Sequence, residues 1–301
     1  MSDLTEKIQR LKKENNAVIC AHYYVEDEVQ EIADYIGDSY YLAQIASKLE
    51  EDVIVFCGVS FMGESAKILN PEKTVLLPDM DADCPMAHMA DPETVQKMRE
   101  EYEDLAVVCY VNSDAALKAC SDVCVTSANA LKIVKNLPNK NIYFIPDQHL
   151  ASYIAEQVPE KNILICGGYC PVHHGLSAQS VKREMERHPG AKVLVHPECP
   201  AEVVALADYT GSTSGILAYA KKSEAQEFVI CTEKGVFYQL EKQNPGKHFY
   251  MVGAGQCCAG MKQVTLQKIA DALENRKPEV SIEENLRERA WKPLQRMLQL
   301  S

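Results

Sequence analysis

The sequence predicts an α/β protein made of three similar α/β/α domains with parallel sheets, related by pseudo-threefold symmetry, with the active site at their central junction. Three observations predict it. Short β-branched runs alternate with helical patterns from end to end. Those runs are apolar throughout rather than alternating, as expected of parallel strands covered on both faces. Polar residues at the ends of the runs recur at a step near 86 residues.

Taken in order, the chain opens with MSDLTEKIQRLKKENN, a charged helix rather than an apolar signal core. The strand runs that follow are NAVICAHYY, DVIVFCGVS and KTVLLPDMD, then LAVVCYVNS, DVCVTSAN, NIYFIPDQ and NILICGGYC, then AKVLVHPEC, EFVICTEKG and HFYMVGAGQ. The repeat places the first domain at residues 1–83 with a helical tail at 259–301, the second at 84–169 and the third at 170–258.

The repeat can be aligned on its polar residues. After the first strand of each block come Tyr24, Tyr110 and His196, 86 residues apart (24 to 110, 110 to 196). A second βα unit opens its helix with a hydroxyl residue: Ser39 in GDSYYLA, Ser127 in VTSANA, and Ser212 with Thr213 in GSTSGI. The fourth strand ends at Cys84, at Cys170, and at the doublet Cys257–Cys258. In parallel α/β sheets ligands bind beyond the carboxyl ends of strands, so all three sets are expected around one site.

Composition narrows the function. The chain has 301 residues, 47% hydrophobic and 25% charged, which suits a folded globular protein. A net charge of -12 without a Lys/Arg run argues against nucleic acid and favours a small-molecule substrate. No apolar stretch is long enough to span a bilayer, and a cytoplasmic location is expected. Of the 12 cysteines, Cys20, Cys57, Cys109, Cys166 and Cys231 sit inside apolar runs and read as core. The spacing suits neither a dense disulfide framework nor paired zinc knuckles. A regulatory disulfide among Cys109, Cys120, Cys124 and Cys199 runs against a reducing cytosol.

Three cysteines, one at the end of each fourth strand, offer three soft ligands, which suit an iron–sulfur cluster or zinc. Three ligands on a cluster leave one iron open, and an open metal acts as a Lewis acid on hydroxyl or carboxylate oxygens. Pro85 and Pro171 are expected to fix the turn after the cysteine and to keep it from continuing as helix. Gene triplication alone would also leave evenly spaced loop thiols, and a zinc hydrolase or lyase would use the same residues. A non-enzymatic iron–sulfur sensor would need a partner surface or DNA-binding motif, and neither is present in the sequence.

Serine and threonine at helix starts are ordinary caps, each stabilising by about 1 kcal/mol. Their recurrence at three equivalent places suggests helix N-termini that bind carboxylate or phosphate. His22 with Tyr24, Tyr110 with Asn112, and His196 with Glu198 form i, i+2 pairs at strand ends, suited to acid–base work. His173 and His174 lie just past Cys170 as candidate substrate contacts.

These residues resemble the quinolinate synthase family, NadA, over essentially the whole chain. The resemblance rests on AHYY with Tyr24, GDSYYLA with Ser39, DADCPMA with Cys84, YVNS with Tyr110 and Asn112, VTSANA with Ser127, CPVHH with Cys170, VHPEC with His196 and Glu198, and TGSTSGI. The family's final cysteine lies in C-x-x-M-K, which Cys258 matches and Cys257 does not, although many relatives carry a C-x-x-C-x-x-C run nearby. The resemblance implies one 4Fe-4S cluster on Cys84, Cys170 and Cys258. It also implies condensation of iminoaspartate with dihydroxyacetone phosphate to quinolinate, phosphate and water for NAD biosynthesis, with L-aspartate oxidase a possible source of iminoaspartate. On that reading Tyr24, Glu198 and His196 are catalytic. His22, Ser39, Tyr110, Asn112, Ser127, His173, Ser212 and Thr213 bind substrate.

Overall fold

A computed structural model describes residues 3–301; Met1 and Ser2, the start of the expected N-terminal helix, lie outside the described residues. The first repeat runs α1 (Asp3–Glu14), β1 (Ala17–His22), α2 (Asp27–Ile32), β2 (Tyr35–Gly37), α3 (Ser39–Ala46), β3 (Val53–Cys57), α4 (Ser60–Leu69) and β4 (Thr74–Leu76). The second runs α5 (Pro92–Glu101), β5 (Leu105–Tyr110), α6 (Ala115–Ala119), β6 (Val123–Val125), α7 (Ala130–Asn136), β7 (Asn141–Ile145), α8 (Gln148–Gln157) and β8 (Asn162–Ile165). After a single turn, α9 (Pro171–His174), the third runs α10 (Ala178–Arg187), β9 (Lys192–Val195), α11 (Ala201–Val204), β10 (Tyr209–Thr210), α12 (Thr213–Lys222), β11 (Glu227–Cys231), α13 (Val236–Gln243) and β12 (His248–Met251). Helices α14 (Leu266–Asn275) and α15 (Glu284–Leu300) close the chain.

The fold is therefore α/β with three four-stranded sheets. Their orders are β2-β1-β3-β4, β6-β5-β7-β8 and β10-β9-β11-β12, one connectivity used three times. The pairings within them are parallel, as the continuous apolar runs predict. Central strands β1, β3 and β5 are buried along their full length. Each fully buried Val, Ile or Leu there stabilises by roughly 1.5–3 kcal/mol. The short strands β2 and β10 have no apolar run to mark them in the sequence; Tyr35 and Tyr209 pair with β1 and β9 for three and two residues.

Strand pairing sets the register of the repeat. Ala21 lies beside Cys57, Cys109 beside Ile145, and Val195 beside Cys231. The residues that follow, His22, Tyr110 and His196, are equivalent, and two further on come Tyr24, Asn112 and Glu198. This corrects the sequence alignment of Tyr24 with Tyr110 and His196 by two residues in the first block. A constant step of 86 counts loop residues, whereas ladder hydrogen bonds do not.

The same register appears in a lysine before each fourth strand. Lys73 Nζ donates to the carbonyls of Leu49 and Glu51, Lys161 to those of Leu137 and Asn139, and Lys247 to those of Ala220 and Ser223. Each ammonium satisfies carbonyls in the last turn of the third helix of its repeat or just past it, where a cation also suits the helix dipole.

By compactness the chain divides into two units. One holds the residues up to His88 with Val111–Cys124 and Ala259–Leu300; the other holds Met89–Tyr110, Val125–Cys258 and Ser301. Within the first, the tail residue Glu279 bridges Leu76 antiparallel, and the Val280 N–H donates to the Val75 carbonyl, covering the β4 edge. Helix α15 packs on α4 and α6. Among the described residues no helix is long and apolar enough to cross a membrane.

Candidate active site

In the second unit, four predicted residues form one buried network around Glu198. The Tyr110 hydroxyl donates to Glu198 Oε1 at 2.5 Å, and His173 Nδ1 lies 2.7 Å from Oε2. His173 stacks on His196 at 4.6 Å, and its Nε2 lies 2.8 Å from Thr232 Oγ1. His196 Nε2 meets Ser127 Oγ at 3.2 Å, and its Nδ1 faces the Glu198 backbone N–H at 3.4 Å. All of these side chains except Ser127 lie on buried residues, each at most 5% exposed where it bears on the network.

Charges follow from these partners. Burial alone would raise the Glu198 carboxyl, but His173, His196 and the Tyr110 hydroxyl outweigh it and hold the group well below the usual carboxylate range. Burial pushes His196 down to about 3 despite the neighbouring Glu198. His196 is thus neutral near pH 7. Since its Nδ1 accepts the Glu198 N–H, its proton sits on Nε2 and points at Ser127.

In the first unit, the Tyr24 N–H donates to His22 Nδ1 at 3.1 Å, and the two rings meet edge to face at 4.5 Å. This repeats the turn at His196 and Glu198. Lys262 Nζ donates to the Tyr24 carbonyl at 2.7 Å and the Val25 carbonyl at 3.4 Å, fixing that loop. Asn112 Oδ1 is buried and has no hydrogen-bond partner among the described residues, so the amide oxygen is ready for a donor. Ser39 lines a small, mostly apolar pocket with Phe56, Met62 and Val111.

The hydroxyl residues separate into two roles. Asp38 caps α3 by accepting the Tyr41 N–H, and Ser212 caps α12 by accepting the Gly215 N–H at 3.1 Å. Ser39 and Thr213 are the first helical residues after those caps. Ser127 sits in the turn that leads into α7, where Asn129 and not Ser127 is the cap residue. Ser39, Ser127 and Thr213 are therefore the equivalent trio, with Ser212 serving its helix.

The cysteine loops also fall into register. The backbone N–H of Ser60 donates to the Ala82 carbonyl, Gln148 to Gly168, and Lys234 to Gln256. Two residues beyond each acceptor stand Cys84, Cys170 and Cys258, so Cys258 and not Cys257 is the structural counterpart. Each of these three cysteines is partly exposed, whereas Cys20, Cys57, Cys109 and Cys231 are buried as expected. Cys166 is only half-buried because it follows the exposed end of edge strand β8, which corrects its assignment to the core. All cysteines are free thiols, including Cys109, Cys120, Cys124 and Cys199.

The prolines act differently from expectation. Pro171 is the first residue of α9, and Pro85 opens the single 3-10 turn Pro85–His88. Rather than barring a helix, each begins one, because the first helical position needs no N–H. Residue 170 is accordingly extended (φ -77°, ψ 117°). A side chain at Gly260 would collide with the Asp83 carbonyl oxygen, so glycine permits a close backbone approach just before Cys84.

Cys170 Sγ, His173 Nδ1 and a Glu198 oxygen lie within 4.8 Å of one another. This set offers S, N and O ligand atoms, but His173 Nδ1 already contacts both Cys170 Sγ (3.2 Å) and Glu198. His174 is exposed and turns to His149 (2.8 Å) and Tyr169, away from this network.

Residues 6–299 match the family model described as Quinolinate synthetase A protein. The chain is 51% identical to a quinolinate synthase of Caldicellulosiruptor saccharolyticus over 298 residues, 99% of this chain and 98% of that protein. It is 49% identical to one from Clostridioides difficile over 299 residues, again 99% and 98%. A quinolinate synthase from Sulfurihydrogenibium is 47% identical over 302 residues, with the same shares.

Proposed function

The chain belongs to the quinolinate synthase family, and from that membership we propose that it condenses iminoaspartate with dihydroxyacetone phosphate. The products are quinolinate, phosphate and two waters, and the quinolinate enters NAD biosynthesis. The reaction is a carbon–carbon condensation with dehydration and cyclisation, carried out in the cytoplasm. L-aspartate oxidase would supply the iminoaspartate.

Cys84, Cys170 and Cys258 hold one 4Fe-4S cluster in this proposal. The observation that carries it is their common place two residues past the carbonyl that receives a helix-start N–H. The donor set fits the group: three soft, partly exposed thiols, while the cysteines of the central strands are buried. When bound, such a cluster supplies Lewis acidity at an iron without a protein ligand.

The remaining residues bind substrate and move protons. Ser39, Ser127 and Thr213 at helix starts, with Ser212, His22, Tyr110, Asn112 and His173, bind carboxylate, phosphate or hydroxyl groups of an acidic substrate. Hydroxyl, amide and imidazole groups do this without a large positive surface on a chain of net charge -12. Ionised Glu198 accepts a proton, Tyr24 serves as a second proton-transfer group, and neutral His196 donates from Nε2.

The domain division at residues 1–83 with 259–301, 84–169 and 170–258 belongs to this proposal, and Cys84, Cys170 and Cys258 stand at its boundaries. A second reading rests on the Cys170, His173 and Glu198 set, whose mixed ligand atoms would suit zinc. Anaerobic purification followed by iron, sulfide, zinc and quinolinate assays decides between them. Four irons and four sulfides in the wild type, lost on substitution of Cys84, Cys170 or Cys258 by alanine, support the cluster; stoichiometric zinc overturns it.

A further inference from the structure

Resting on the cluster reading above, we infer that Asp147 and Glu233 are positioning residues for two of its ligands, each tying a cysteine loop to a helix start through one carboxylate. Asp147 Oδ1 accepts the Leu150 N–H of α8 at 2.6 Å, and Oδ2 accepts the Cys170 N–H at 3.2 Å. Glu233 Oε2 accepts the Gly235 N–H before α13 at 2.5 Å, and Oε1 accepts the Cys258 N–H at 3.0 Å. Both residues are 0% exposed.

The two acids occupy one position of the repeat, since each directly precedes the residue whose N–H reaches across to the cysteine loop, Gln148 or Lys234. In the first repeat that position is Val59, whose side chain offers no acceptor. There the carboxylate comes from the opposite side of the gap: Asp83 Oδ1 accepts the Ser60 hydroxyl at 2.6 Å, and the Cys84 N–H lies against the same carboxylate. The link between helix start and cysteine N–H thus persists although its residue has moved.

Ordinary capping does not account for this. Asp91 caps α5 through Thr94 with both oxygens and touches no cysteine. Asp147 and Glu233 instead divide their two oxygens between a helix start and a ligand loop. A cysteine whose N–H is pinned in this way has its backbone set, and only its side-chain rotation remains to place the sulfur.

The test uses anaerobically reconstituted full chain: iron and sulfide content, the rate of iron release to a chelator, and circular dichroism of the metal-free form. Asp147→Ala and Glu233→Ala are expected to release iron at least about tenfold faster than wild type, the double variant faster still, and Asp91→Ala within twofold. Asp147→Glu and Glu233→Asp keep two acceptor oxygens and recover part of the loss. Alanine variants that hold four irons at the wild-type release rate would overturn the inference, as would equal acceleration in Asp91→Ala. Should the alanine variants not fold, Asp147→Asn and Glu233→Gln decide, because an amide keeps one acceptor oxygen: faster release supports the inference and a wild-type rate overturns it. A wild-type chain that takes up no iron ends the cluster reading and this inference together, whereas stable iron in the alanine variants ends the inference alone.

Discussion

The hydroxyl of Tyr110 is 2.5 Å from Glu198 Oε1, a buried contact between residues 88 positions apart in sequence. A donor this close to a carboxylate stabilises the ionised form. Tyr110→Phe removes it, so the Glu198 pKa rises and the acid limb of the rate profile shifts to higher pH. Quinolinate formation is expected to fall by about two to four orders of magnitude in Glu198→Gln, which removes the acid–base group outright. Tyr110→Phe with an unchanged pH profile would detach the hydroxyl from Glu198 ionisation.

His196 makes stability depend on pH. Its folded-state pKa is lowered from 6.5 to about 3, so between those values the unfolded chain binds a proton that the folded chain refuses. Stability from this group is fully present above pH 6.5 and is lost as pH falls toward 3, by at most about 1.4 kcal/mol per pH unit. In denaturant unfolding of the metal-free chain, the stability difference between pH 7 and pH 5 should shrink by about 1–2 kcal/mol in His196→Asn. An identical pH dependence in both proteins would show that the imidazole is not held neutral.

Cys257 and Cys258 are adjacent but not interchangeable. Cys258 has the register of Cys84 and Cys170, and its N–H is held by Glu233. Cys257→Ala is expected to keep its iron and sulfide content, and Cys258→Ala to lose most of both. The reverse result, read by metal analysis, would move the third ligand to Cys257.

Lys262 anchors the loop that carries Tyr24. Removing its ammonium leaves the Tyr24 carbonyl without that donor, at a cost of about 1–3 kcal/mol if the carbonyl stays buried. Lys262→Met should lower the melting temperature and cut turnover at least tenfold, while cluster content stays near wild type. Tyr24→Phe should likewise spare the cluster while cutting quinolinate formation by about two to four orders of magnitude. Wild-type turnover in Lys262→Met would mean that Tyr24 keeps its position without the clamp.

Much of this was legible in advance, and the misses have physical causes. The strand runs, the three cysteines and the His196–Glu198 pair are identities on single segments, which composition and periodicity expose. The repeated Pro-x-Lys before each fourth strand (Pro71 to Lys73, Pro159 to Lys161, Pro245 to Lys247) was equally readable and marks the same register. Asp147 and Glu233 also recur at a step of 86 residues, but that spacing does not separate them from ordinary caps. Each looks like a cap at a helix start, and only a second hydrogen bond to a loop 23 or 25 residues away distinguishes it.

The sequence by itself determined the α/β class, the threefold recurrence and the chemical types of the site residues. Those follow from local side-chain pattern and from residue identity. Tertiary structure decided which residues are equivalent: His22 with Tyr110 and His196, Thr213 rather than Ser212 with Ser39 and Ser127, and Cys258 rather than Cys257 with Cys84 and Cys170. It could only be decided there because register is fixed by hydrogen bonds between segments far apart in the chain. Loops that gain or lose two residues shift sequence spacing and leave those bonds unchanged.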